Sequence, residues 1–269
     1  MATNMGNFDN SLILAVETSG RLGSVALAQG DKLLAETCFS GPMRHSAEIF
    51  PTITDLLSRF SKKPEQIEHV YISAGPGSFT GLRIAVTFAK TVALANNSKI
   101  VAVDTLDVIA ANVTGFTAEV AENAEKVKVS TENRLSSVIS PPSSEFLGVI
   151  LDAKRGQFFI AVYEKTQDLR PQTQDAIWKK ILPDCLMTAE EFLYRFTNQP
   201  ISLTGEGLVF YKDKFNNKNV RVLDEKFWNP SAANVHKLGW HKARLDEFAD
   251  PLTLTPNYIR GPDVTVKQI

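Results

Sequence analysis

The chain contains the same arrangement of strands, turns and acidic residues twice. Residues 12–36, LILAVETSGRLGSVALAQGDKLLAE, begin with an apolar strand that ends at the acidic residue Glu17, and a short turn then leads into two further strands. Residues 146–169, FLGVILDAKRGQFFIAVYEKTQDL, repeat this order, with Asp152 in the position of Glu17. A pattern that recurs in this way predicts two copies of one structural unit.

Each copy is followed by a strand that runs into glycines. VYISAGPGSFTG, residues 70–81, follows the first copy, and PISLTGEGLVFY, residues 200–211, follows the second. Because strands that alternate with helical segments favour a sheet covered by helices, we predict an α/β fold built from two duplicated lobes.

The length of 269 residues and a hydrophobic content of 43% are sufficient for two compact lobes. We expect an N-terminal lobe at 1–106 and a C-terminal lobe at 107–269, whose last segment packs back on the first lobe. A surface insertion or linker is expected at about 114–145. It ends in a Ser/Pro stretch that cannot continue a helix, because proline lacks the backbone N–H.

Charge and composition exclude several classes of function. The formal net charge is −1, so the chain lacks the basic surplus that binds nucleic acid directly. No apolar run approaches the roughly 20 residues that a membrane span requires, and the first residues do not resemble a signal peptide. Cys38 and Cys185 form neither a disulfide framework nor a zinc motif. We therefore expect a cytoplasmic protein that does not bind membranes.

The stretch SAGPGSFTGLRIAVTFAKTVALA, residues 73–95, has the pattern of a phosphate-binding loop that leads into a helix. It is not a Walker A loop, because no Lys-Ser/Thr pair follows the last glycine. Two interpretations remain open: a weakened nucleotide site, or an inherited scaffold in which Glu17 is a structural carboxylate, which we favour. The candidate vestigial phosphate or nucleotide site comprises Glu17, Thr18, Gly75, Gly77, Ser78, Thr80, Gly81 and Arg83.

Two segments have the apolar periodicity of amphipathic helices, at residues 46–60 and 80–95. The second helix is apolar on two faces and must be covered on both. One face is expected to pack on its own sheet. The other face, with Ile84 and Phe88, meets either a neighbour within the chain, such as the 46–60 helix, or a partner protein; both hypotheses stay open.

Segments along the whole chain resemble the TsaB (YeaZ) family. They are ILAVETS, HSAEIFPTI, AGPGSFTGLRIAVTFAKTVAL, VDTLDVIA, ILDAKRGQFFIAVYE and LTPNYIRGPDVTVK. The resemblance implies two ribonuclease-H-like lobes of the actin/sugar-kinase/Hsp70-like (ASKHA) superfamily, in agreement with the duplication.

The resemblance also implies a function. Members of this family take part in the transfer of threonylcarbamoyl to N6 of adenosine 37 of tRNA, as non-catalytic dimerisation subunits of the transferase TsaD, with the ATPase TsaE as a further partner. A homodimer through the same face is a possible competitor, and tRNA would be contacted only through the complex. The residues expected at the partner interface are Ile49, Ile53, Ile84, Phe88, Thr91 and Ala95.

The same resemblance indicates that the chain has no catalytic residues, metal ligands or cofactor of its own. TsaD has a pair of metal-binding histidines, and alignment with VAVDTLDVIA puts Thr105 and Ile109 in their places. A hydroxyl and an alkyl group do not rebuild such a site. His45, just before a helix, is expected to cap or pack rather than bind a metal. The alternatives are an ATP-dependent phosphotransferase of the ASKHA fold and, less favoured, a glycoprotease-like metallopeptidase.

Overall fold

The computed structural model describes residues 10–113, 146–166, 177–196 and 198–260. The insertion predicted at 114–145 lies outside these residues, and the lobe boundary at 106 and 107 stays a prediction. The described strands form two five-stranded sheets.

The first sheet contains the strands before residue 105. They are β1 (Leu12–Glu17), β2 (Ser24–Gln29), β3 (Lys32–Cys38), β4 (His69–Gly75) and β5 (Lys99–Asp104). The strand order is β3-β2-β1-β4-β5. The first three strands are antiparallel, whereas β4 and β5 run parallel to β1.

The second sheet repeats this topology. Its strands are β6 (Phe146–Asp152), β7 (Gln157–Thr166), β8 (Ile177–Thr188), β9 (Ile201–Thr204) and β10 (Val220–Val222). The order β8-β7-β6-β9-β10 again places three antiparallel strands beside two parallel ones. This is the strand order of a ribonuclease-H-like lobe. The duplicated α/β fold predicted from the sequence is therefore confirmed.

Six α-helices lie in the described part of the chain. They are α1 (His45–Arg59), α2 (Phe79–Asn96), α3 (105–113), α4 (Ala189–Phe196), α5 (Leu208–Tyr211) and α6 (Ala232–Arg244). The predicted helices at 46–60 and 80–95 correspond to α1 and α2, with ends that differ by one residue.

Both faces of the first sheet are covered by helices. Leu14 and Val16 of β1 pack in a cluster with α1 and α2, while Ile13 and Ala15 pack in a second cluster with α6. A strand covered on both sides has no polar face, which explains the uninterrupted apolar run LILAV. The chain thus returns from the second sheet to cover the first with α6.

Helix α3 lies where the two sheets approach one another. Val108 packs with the first sheet and α6, whereas Leu106 and Ile109 pack with the second sheet. The Asn234 side chain in α6 donates hydrogen bonds to the Val108 carbonyl oxygen at 3.1 Å and to the Asn112 side-chain oxygen at 2.6 Å. These contacts join the two halves of the fold through α3 and α6.

Candidate functional site

The glycine loop that follows β4 lies directly against the turn that follows β1. The Ser78 N–H donates to the Ser19 carbonyl oxygen at 2.7 Å, and the Thr18 hydroxyl donates to the Gly81 carbonyl oxygen at 2.8 Å. A β-carbon at Gly81 would lie 1.8 Å from the Thr18 carbonyl oxygen. Glycine is required here for contact between two backbone segments, as it would be for contact with a phosphate.

Glu17 is a buried hydrogen-bond acceptor at the end of β1. Its carboxylate accepts hydrogen bonds from the Ser19 N–H and hydroxyl, each at 2.5 Å, and from the Ser73 hydroxyl. Burial raises the pKa of Glu17, and these hydrogen bonds oppose that rise. The geometry agrees with the structural carboxylate that we favoured, because Glu17 ties the turn to β4.

The candidate phosphate-loop residues do not converge on one point. Gly77 and Ser78 line a cleft between the lobes, while Glu17 and Thr18 are buried beneath it. Ser78 caps α2, as expected for one of the two hydroxyls proposed for that role, by accepting from the Gly81 N–H.

Two of the other candidates, Thr80 and Arg83, line a separate groove on the outer side of α2. The Arg83 guanidinium lies 5.3 Å from the centre of the Phe79 ring. The remaining candidate, Gly75, packs against the backbone of Asn257, where a β-carbon would meet the carbonyl oxygen at 2.6 Å. The vestigial nucleotide site stays a prediction, and these positions give it no common centre.

The outer groove has a volume of about 510 Å³ and lies between α1 and α2. Phe50 is exposed by 64% of its surface, and its ring meets Phe88 edge to face with 5.9 Å between centroids. The residues that line the groove are mostly apolar or small: Ser46, Ile49, Phe50, Phe79, Thr80, Arg83, Ile84, Thr87, Phe88, Thr91 and Val92. Four of the six predicted interface residues are among them.

The predicted partner interface stays a prediction, and its residues differ in how far they are exposed in this chain. Ile49 and Ile53 are only 1% and 7% exposed and belong to the core beneath the groove; Ile53 does not line the groove. Phe88 is 8% exposed and belongs to the same core, because α1 covers much of the second apolar face of α2. Ala95 is exposed but lies outside the groove. Helix α1 therefore covers part of the second apolar face of α2, and Phe50 forms the exposed rim of the groove.

A second cavity, of about 520 Å³, lies in the cleft between the two lobes. Glu206, between the two glycines of the second Gly-x-Gly sequence, reaches across it and accepts a hydrogen bond from the Arg21 N–H with both oxygens, each at 2.9 Å. Burial raises the pKa of Glu206 to about 7, with a further rise from the nearby Glu17 carboxylate. Sequence reasoning missed Glu206, although the repeated Gly-x-Gly pattern marked its position.

Comparison with known proteins identifies the family. A family model described as "TsaD: tRNA N6-adenosine threonylcarbamoyltransferase" matches residues 42–239, more than half of the chain. Curated proteins named "tRNA threonylcarbamoyladenosine biosynthesis protein TsaB" match almost throughout. The chain belongs to the TsaB (YeaZ) members of this family.

The relatives cover nearly all of the chain. The Bacillus subtilis protein is 27% identical over 96% of this chain and 97% of its own length, and the Haemophilus influenzae protein is 24% identical over 97% and 98%. The solved structure of YeaZ from Pseudomonas aeruginosa has a TM-score of 0.67 at 19% identity, and the match covers 92% of this chain and 99% of that one. The two-lobed fold implied by the resemblance is thereby confirmed.

The resemblance puts Thr105 and Ile109 in the places of the TsaD histidines. Thr105 and Ile109 are fully buried, and Ile109 packs beside Leu147 and Val149 of the second sheet. Within the described ranges, no three His, Cys, Asp or Glu side chains are grouped so as to hold a metal. His45 is buried, with Nε2 3.0 Å from the Gly20 carbonyl oxygen. None of the described helices could cross a membrane.

Proposed function

We propose that the chain is a non-catalytic subunit of tRNA threonylcarbamoyladenosine biosynthesis, which binds a TsaD-type transferase through the groove between α1 and α2. The curated relatives carry the name of this pathway, and the family model carries the name of the transferase. The observation that carries the proposal is the groove itself: an apolar cavity on the outside of the first lobe, with a large exposed aromatic side chain at its rim.

The groove has the physical properties of a protein-binding surface. An exposed apolar patch on a folded domain costs solvation free energy and typically marks an interaction site. Side chains from α1 and α2 line a groove into which a helix of another protein can pack. Thr87 and Thr91 are small enough to allow close approach, and Arg83 at one end supplies a polar contact.

The non-catalytic role is supported by the surroundings of the residues that the resemblance places where a related enzyme has its catalytic centre. Glu17 accepts hydrogen bonds from Ser19 and Ser73, and Thr105 and Ile109, which the resemblance puts in the places of the TsaD metal ligands, are buried. With a net charge of −1, the chain is expected to contact tRNA only through its partners. TsaE as a third component, self-association through the same groove and a cytoplasmic location belong to the same proposal.

The groove is tested by one charge placed at its rim and one placed outside it. Phe50→Asp should weaken binding to TsaD by about 2–4 kcal/mol, because the variant loses the apolar contact of an exposed aromatic ring and desolvates a carboxylate where the partner packs. Leu94→Asp is the matched control: Leu94 lies on α2, is 70% exposed and does not line the groove. Titration calorimetry gives the affinities, and thermal melting shows that both variants remain folded.

The outcomes separate the hypotheses. A folded Phe50→Asp variant that binds TsaD as tightly as the parent would exclude the groove as the binding surface. Equal losses in both variants would indicate a different face of α2. The non-catalytic role is tested separately with purified chain alone, which should transfer no threonylcarbamoyl to tRNA unless TsaD is added.

A further inference from the structure

Residues 249–260 form a C-terminal strap that follows α6 and is attached to both lobes. In the first lobe, the Asn257 N–H donates to the Ala74 carbonyl oxygen of β4 at 2.7 Å. In the second lobe, the Arg260 side chain donates to the Ala153 carbonyl oxygen, just after β6, at 2.7 Å. The strap therefore crosses from one lobe to the other within a few residues.

The ring of Tyr258 lies between these two attachments and stacks on the ring of Phe79. The two ring centres are 5.2 Å apart, and the ring planes are inclined by 28°. Asn257 immediately precedes Tyr258, and Arg260 follows two residues later. Because the strap is hydrogen-bonded on both sides of Tyr258, its contacts with both lobes set the position of this ring against Phe79.

Phe79 lies where the two cavities of the described chain meet. It is the first residue of α2 and lines both the groove between α1 and α2 and the cleft between the lobes. The Arg83 guanidinium, one helical turn along α2, lies 5.3 Å from the centre of the Phe79 ring. Two side chains, Arg83 and Tyr258, thus hold Phe79 at the end of the groove.

Tyr258 lines the cleft but not the groove. A partner in the groove would therefore contact Phe79 directly, whereas Tyr258 would act only through Phe79. A side chain exposed at the start of a helix can adopt more than one rotamer, and fixing it in one of them on binding costs free energy. A stacked ring that restricts Phe79 beforehand reduces this cost.

We propose that Tyr258 is a positioning residue for partner binding, an assignment that rests on the proposed binding of TsaD to the groove. Its ring holds Phe79 in the orientation that completes the end of the groove. The strap, which is attached to the second lobe, thereby influences the affinity of a surface on the first. The two rings are 37% and 45% exposed, so their stack adds little to the hydrophobic core.

The proposal is tested with the affinity of the full chain for TsaD, measured by titration calorimetry. Tyr258→Ala should bind about threefold to tenfold more weakly than the parent, because Phe79 must then be ordered on binding. Phe79→Ala should also bind more weakly. The double variant should bind no more weakly than Phe79→Ala alone, since Tyr258 then has no ring to position.

Two further variants separate positioning from a general effect on the strap. Tyr258→Phe keeps the stacked ring and should bind TsaD like the parent. Leu252→Ala is the matched control, because Leu252 lies in the same strap, is 77% exposed and lines neither cavity. It should also bind like the parent, and melting temperatures should show that all variants fold.

Nuclear magnetic resonance of the chain alone, labelled on its phenylalanine rings, gives a readout that does not require TsaD. The Phe79 resonances should shift in Tyr258→Ala and stay in place in Leu252→Ala, because a stacked ring changes the magnetic field at its neighbour. Unchanged Phe79 resonances in Tyr258→Ala would overturn the positioning role whatever the affinities are.

The affinities also distinguish failure of this role from failure of the proposed function. If Phe50→Asp weakens binding and Tyr258→Ala does not, the groove remains the binding surface and the role of Tyr258 is excluded. If the losses of Tyr258→Ala and Phe79→Ala add up in the double variant, Tyr258 acts independently of Phe79, which also overturns the proposal. If Phe50→Asp binds as tightly as the parent, both the groove and the role of Tyr258 are excluded.

Discussion

The two glycine loops occupy equivalent places in the two lobes but lead into very different helices. Gly75-Pro76-Gly77 follows β4 and leads, through Ser78, into the 18 residues of α2. Gly205-Glu206-Gly207 follows β9 and leads into α5, which has 4 residues. Only the first loop therefore starts a helix long enough to form a groove with a neighbour. This difference supports our proposal that the partner binds to the first lobe.

Both loops use glycine for the same local purpose. In the first lobe the Ser78 N–H binds the Ser19 carbonyl oxygen, and in the second the Gly207 N–H binds the Ile150 carbonyl oxygen at 3.0 Å. In each case the loop lies against backbone from the neighbouring first strand or its turn. A glycine-rich stretch before a helix thus predicts close backbone packing as well as it predicts a phosphate site.

The largest effect is expected from Gly81→Ala. The new β-carbon would lie 1.8 Å from the Thr18 carbonyl oxygen, so α2 or the turn must move. We expect a loss of about 4 kcal/mol or more in the free energy of unfolding, measured by urea denaturation. At Gly207, in the second lobe, the nearest atoms are 3.0 Å away, and the same substitution should cost about 1–2 kcal/mol.

The control for this pair is Gly41→Ala, where a β-carbon meets its nearest atom at 3.8 Å. That variant should differ from the parent by less than about 0.5 kcal/mol. A Gly81→Ala variant as stable as Gly41→Ala would show that the first loop does not need its close contact with Thr18.

The acidic residues at the ends of β1 and β6 provide the next comparison. Glu17→Ala leaves the buried hydroxyls of Ser19 and Ser73 without their acceptor and should destabilise the protein by about 3 kcal/mol. Asp152→Ala frees only Lys154 at an exposed turn and should cost about 1 kcal/mol. Urea denaturation of the two variants measures the difference. Equal losses would contradict the distinction between a buried and a surface turn.

Much of this fold is predictable from sequence because its signals are local. The first strand of each copy is an apolar run that ends in an acidic residue, Glu17 or Asp152, where the chain turns. Ser78 and the apolar periodicity after it located α2 to within a residue at each end. These features depend on neighbours a few residues away, which a sequence displays directly.

The features that could not be predicted from the sequence depend on contacts between residues that are far apart in the chain. Periodicity shows that α2 has two apolar faces, but it does not show that α1 covers Phe88 and leaves Phe50 exposed. Glu206 and Arg21 are 185 residues apart and meet only because both lobes face one cleft. The packing of α6 on the first sheet likewise brings together distant parts of the chain. No local pattern specifies such contacts.

The smallest effect is expected from Glu206 in the second glycine loop, whose contribution to stability depends on pH. Glu206 stands where the first loop has Pro76, and burial raises its pKa from 4.5 to about 7. The folded state therefore holds this proton more tightly than the unfolded state. The stability due to Glu206 is complete below pH 4.5 and is lost as the pH rises through 7, by about 3 kcal/mol in all.

Glu206→Gln removes this ionisation and keeps one oxygen to accept from the Arg21 N–H. Relative to the parent, the variant should therefore gain stability between pH 5 and pH 8, by about 2 kcal/mol in urea denaturation. His69, whose pKa burial lowers to about 4, produces the opposite slope below pH 6.5, but it is present in both proteins and cancels in the difference. The exposed Glu65→Gln serves as the control and should show no such gain. A pH-independent difference between Glu206→Gln and the parent would show that Glu206 has the same pKa in the folded and unfolded chain, and that its contact with the first lobe does not bury its charge.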